Sequence, residues 1–184
     1  MKFATTALER VAIIVASLAL SLGLIALLSG FFAGRDQAGV SITQTGPGSA
    51  FPDLGAAHLK PGARRPEYDS DPPTSGAHVP EPVTRDEAEL NDDELLQALE
   101  NGNVVFMYGS RKPPPGLRAL ALRLASPFTP ALAAAGQAVI LARRPGTIGV
   151  DGLAWAHAVS VRDPSDPRLA EFAQFWLGRG APGH

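Results

Sequence analysis

His58, His78, Glu100 and Met107 are the side chains whose types suit a metal ion. Imidazole nitrogens bind zinc and copper, a carboxylate can complete such a set, and a thioether adds affinity for Cu(I). No pair stands at a local ligand spacing such as His-x-x-x-His. Any copper or zinc site must therefore be assembled by the fold from separate segments. A second arrangement lies within one stretch: Asp71, Ser75 and His78 are the residue types of a nucleophilic triad, in which a base oriented by a third group activates the nucleophile. The same stretch has a purely structural reading. Pro72-Pro73 set an extended course, Thr74 and Ser75 bond nearby backbone, and Gly76 turns the chain. His157, between apolar neighbours, reads as a hydrogen-bonded core histidine. No recognisable catalytic set emerges, so no enzymatic activity and no cofactor are expected, with copper or zinc as the alternative.

Charge is segregated along the chain. The stretch 81–100 holds eight acidic residues against Arg85, whereas 101–150 holds Arg111, Lys112, Arg118, Arg123, Arg143 and Arg144 and no acid. One reading is mutual pairing, each exposed pair contributing at most about 1 kcal/mol. The other places Arg111, Lys112, Arg118 and Arg123 against anionic headgroups or an acidic partner, since the guanidinium fork suits phosphate. The formal net charge is −2, which gives no whole-molecule field for nucleic acid. The absence of cysteine excludes disulfides, thiolate metal sites, CxxC redox chemistry and c-type haem attachment.

The elements that must position these residues follow from periodicity. Residues 34–57 read as a Pro/Gly-rich tether, and 58–184 as one domain whose first part wraps it. Asn91-Asp92-Asp93-Glu94 is a capping box opening a helix with Leu95, Leu96, Ala98 and Leu99 on its apolar side, closed by Gly102. Val104–Tyr108 predicts a buried strand. A helix carries Leu117, Leu120, Ala121 and Leu124 at i, i+3, i+4, i+7, and Pro127 and Pro130 end or kink it. Ala138–Leu141 predicts a second strand. The alternation Leu153, Trp155, Val159, Val161 predicts a third, central one. A last helix starts at Asp163 or Asp166 with Leu169, Phe172, Ala173, Trp176 and Leu177 on one stripe. The expectation is a small α/β or α+β sandwich in the order α-β-α-β-β-α.

Val11–Phe32 is an uncharged apolar run of 22 residues, about 33 Å as a helix and matched to a hydrocarbon core of about 30 Å. It exceeds the apolar core of a cleaved signal and lacks a small-x-small end. Residues 11–33 therefore read as a transmembrane helix. Lys2 and Arg10 precede it, so residues 1–10 form a cytoplasmic tail by the positive-inside rule. The rest of the chain is expected outside the cytoplasmic membrane, with lipid and other membrane proteins as partners.

Tyr68-Asp69-Ser70-Asp71-Pro72-Pro73-Thr74-Ser75-Gly76-Ala77-His78 resembles the Y-x-S-x-P-P-T-S-G-x-H signature of domain-of-unknown-function family 3105. Gly55-Ala56-Ala57-His58, Leu99-Glu100 with Gly102-Asn103-Val104-Val105, Ala154-Trp155 and Ala181-Pro182-Gly183 follow the family in the same order. The resemblance implies a bacterial protein with one N-terminal anchor and an exported domain, and the family has no established role. Three positions depart from its pattern. Gln97 and Asn101 stand where the helix usually carries histidines (H-x-L-E-H-G), and Ala156 stands where Gly usually follows the tryptophan. The expected role is a single-pass, extracytoplasmic accessory or interaction module, a small subunit of a larger membrane complex. The alternative is an exported copper- or zinc-binding protein with a reduced histidine site.

Overall fold

The computed structural model describes residues 45–183. The expected cytoplasmic tail and transmembrane helix lie outside the described residues. Among the described residues, no helix is long and apolar enough to cross a membrane.

Six strands form one mixed sheet: β1 (Ser49–Ala50), β2 (Ala88–Glu89), β3 (Val104–Tyr108), β4 (Val139–Arg143), β5 (Val150–Ala154) and β6 (His157–Val161). Their spatial order is β1-β6-β5-β3-β4-β2. β3 pairs parallel with β4, while β5 pairs antiparallel with both β3 and β6. The helices are α1 (Asp92–Asn101), α2 (Leu117–Leu124), α3 (Pro130–Ala134) and α4 (Pro167–Trp176).

β3 is buried along its whole length because both sheet faces are covered. Phe106 and Tyr108 pack with Leu117 and Leu120 of α2 and Leu169, Phe172 and Trp176 of α4. Val105 and Met107 pack on the opposite face with Leu95, Leu96 and Leu99 of α1. Each fully buried leucine contributes about 1.5–3 kcal/mol. The capping box of α1 is present, with Glu94 N–H donating to the Asn91 side chain at 2.9 Å and Asn91 N–H donating to Glu94 at 3.0 Å. Gly102 closes α1 at φ 103°.

Two expectations are corrected. The predicted third strand is a hairpin: β5 and β6 join through Trp155-Ala156, with Ala154 opposite His157. The described order is therefore β-β-α-β-α-α-β-β-β-α rather than α-β-α-β-β-α. The alternation hid the turn because no Gly, Asn or Pro stands there. Ala156 takes the left-handed φ of 55°. It is held by its N–H to Thr74 O at 2.9 Å and its carbonyl from Phe51 N–H at 2.8 Å. Pro130, expected to end or kink a helix, instead begins α3, where Thr129 caps Leu132 N–H at 3.2 Å.

Residues 51–87 contain no helix and wrap the domain as a strap; His58 and His78 form an isolated parallel bridge within it. The segregated charges largely find each other. Arg118 pairs with Glu87, Arg143 with Glu89, and Arg144 with Asp71 and Asp92. Arg111, Lys112 and Arg123 are exposed and make no ion pair among the described residues.

Candidate metal centre

Three of the four expected ligands converge. The donor atoms of His58, His78 and Glu100 all lie within 4.8 Å of one another. His58 Nε2 is 3.1 and 3.0 Å from the two Glu100 oxygens, and His78 Nε2 is 3.0 Å from Glu100 Oε2. The imidazole rings stand edge-on, 5.5 Å apart and inclined at 73°. Met107 is not part of the group. It is buried among the leucines of α1, on β3 opposite Asp151 and Ala142.

Each ligand is positioned by a different element. Glu100 sits in the last turn of α1, where it is 1% exposed. The chain after α4 clasps that turn: Ala181 N–H donates to Glu100 O at 3.0 Å and Gly178 N–H to Gly102 O at 2.8 Å. A side chain at Gly180 would collide with the Glu100 carbonyl. His78 is fully buried at the end of the Pro-Pro-Thr-Ser-Gly segment. His58 is brought in by the bridge, through Leu59 N–H to His78 O at 2.8 Å and His78 N–H to Ala57 O at 3.1 Å.

The His78 ring is oriented through its Nδ1–H. Nδ1 lies 3.0 Å from Gly76 O; a carbonyl only accepts, so the proton is on Nδ1. Nε2 is buried and makes no hydrogen bond, although a carboxylate oxygen is 3.0 Å away out of alignment. Such a nitrogen faces the carboxylate either as an N–H of the imidazolium, forming an ion pair, or, in the neutral ring, across a cation held between the two. Metal-ligating histidines characteristically donate the second ring N–H to a carbonyl or carboxylate. Zinc bonds of about 2.0–2.2 Å in a tetrahedron set donors about 3.3 Å apart, within the 3.0–4.8 Å spread here. The residues fit a borderline divalent ion.

The remaining motif residues build this frame. Tyr68 Oη donates to Ala77 O at 2.9 Å, and its ring fills the space beside Gly76, whose φ is 128°. A Cβ there would meet the Tyr68 ring at 2.9 Å. Trp155 Nε1 donates to Asp53 at 3.1 Å, and its ring lies 6.5 Å from that of His78. Ser75 Oγ donates to Pro52 O and accepts from Leu54 N–H at 3.0 Å. Asp71 points to Arg144. Ser75, His78 and Asp71 thus form no triad.

Several positioning groups escaped the sequence. Asp93 is buried and holds the strap through Arg65 and through Val79 N–H at 3.0 Å. The hydrogen bond from Arg65 depresses its pKa, against the opposing effect of burial. Asp93, Gln97 and Glu100 fall at i, i+4, i+7, so they share one side of α1, and burial of Asp93 and Glu100 there is set by the packing rather than by the local pattern. Gln97 donates to Asn101 at 3.1 Å while its own carbonyl oxygen is buried with no hydrogen bond.

A family model described as "Protein of unknown function (DUF3105)" matches residues 60–182. The chain belongs to that family. No curated protein and no solved structure matches it.

Proposed function

We propose that this family member is a metal-binding module, holding one zinc or copper ion between His58, His78 and Glu100. The carrying observation is the convergence of the buried Nε2 of His78 with His58 and Glu100, at 3.0 Å from the carboxylate, with the ring held from behind by Nδ1–H to Gly76 O. With no sulfur in the donor set, the reading favours Zn(II) or Cu(II) over Cu(I). The 22-residue apolar run supports a membrane-anchored, extracytoplasmic setting, in which the module serves as an accessory subunit to other membrane proteins. That accessory role and the ion site are compatible. Exposed Arg111, Lys112 and Arg123 are the residues left for headgroups or an acidic partner.

The test is calorimetric titration of the purified chain with Zn(II), Cu(II) and Cu(I), together with metal analysis after gentle isolation. The expected result is one divalent ion per chain at micromolar affinity or tighter, lost in His78→Gln. Absence of binding below the micromolar range would remove the reading.

A further inference from the structure

Resting on that ion-site reading, we propose that the ion is a clamp: its occupancy decides whether the strap around His58 is docked on the domain. The three ligands are unequally held. His78 and Glu100 are built into the frame, at 0% and 1% exposure. The His58 side chain, at 45%, belongs to a segment in which only Ala56 and Leu59 are partly buried between Pro52 and Glu67.

The other attachments of this segment are few. His58 itself meets Glu100 directly, two backbone hydrogen bonds make the His58–His78 bridge, Asp53 meets Trp155, Pro52 and Leu54 both meet Ser75, and half-exposed Arg65 meets Asp93. Scarce apolar burial with only a handful of part-buried hydrogen bonds describes a part of the fold that opens locally at smaller free-energy cost than the core. An ion that needs His58 binds only the docked form. Its binding free energy therefore opposes opening, and docking reciprocally raises ion affinity.

Between Pro52 and Glu67 the strap offers trypsin one favourable bond. Lys60 precedes Pro61 and Arg65 precedes Pro66, leaving cleavage after Arg64. On the full chain in detergent, saturating zinc is expected to slow that cleavage at least about tenfold and to slow hydrogen exchange at the Leu59 amide in parallel. Cleavage after exposed Arg111 serves as the unaffected control. His58→Gln should abolish the protection. If one zinc is retained per chain while Arg64 cleavage and Leu59 exchange stay unchanged, or if both are already protected without the ion, the clamp is overturned and the ion site stands. If protection persists in His58→Gln, the clamp is likewise overturned. If no zinc is retained, the ion site falls and the clamp with it.

Discussion

His78 and His157 are treated alike by their local backbone and unlike by everything around them. Each donates Nδ1–H to the carbonyl two residues earlier, Gly76 at 3.0 Å and Trp155 at 2.9 Å. Each is buried, and each leaves Nε2 without a hydrogen bond. Around His157 the ring lies flat on Trp176, centroids 3.8 Å apart, so dispersion and π-stacking offset the cost of the bare nitrogen, about 1–3 kcal/mol. Around His78 there is no such stack, and Nε2 meets a carboxylate and a second imidazole instead. An Nδ1–H held by the carbonyl two residues earlier is therefore common to a packing histidine and a ligand. The carboxylate is what separates them.

The comparison breaks most directly by exchanging the two. His78→Gln should lower zinc affinity by more than about 100-fold, beyond the 10–100-fold typical of losing an outer-shell partner. His157→Gln should leave affinity unchanged and lower thermal stability. Equal effects of both on zinc titration would dissolve the distinction. Gly76→Ala probes the shared backbone device. A side chain at φ 128° beside the Tyr68 ring would displace the carbonyl behind His78, costing about 1–3 kcal/mol in stability and about 10–100-fold in zinc affinity. Gln97→His sharpens the contrast from the other side. It puts an imidazole on the helical stripe beside Glu100, and zinc affinity should rise about tenfold, read by the same titration.

What the sequence revealed and what it hid divide along physical lines. The capping box of α1, the strand Val104–Tyr108 and the stripe of α4 depend on local pattern, and each was legible. The convergence of His58 with His78 and Glu100 was legible only as residue types, because a bridge within an irregular strap carries no period. Met107 was misplaced for the complementary reason: β3 carries apolar residues on both faces, so its sequence does not say which face or level approaches a site. The Trp155-Ala156 turn was concealed by an alanine doing a glycine's task. The family resemblance carried the missing signal, since Gly usually stands there. Ala156→Gly should relieve the left-handed strain, adding about 1 kcal/mol and about 3–5 °C in melting temperature, with zinc affinity unchanged.

The smallest effect separates charge from ion in holding the strap. Arg65 holds the Asp93 carboxyl below its ordinary pKa. A carboxylate depressed by folding stabilises the native state at pH values above the ordinary carboxylate range, about 4. That contribution is lost as pH falls through the depressed value, because the unfolded chain takes up its proton first. Arg65 is half exposed, so solvent screening keeps the pair to about 1 kcal/mol or less. Asp93→Asn should therefore lower denaturation stability modestly at neutral pH and flatten its decline below about pH 4. Near neutral pH, zinc should protect the Leu59 amide in this variant as in the parent chain. Loss of that protection would mean that Arg65 and Asp93, rather than His58, set the docking of the strap.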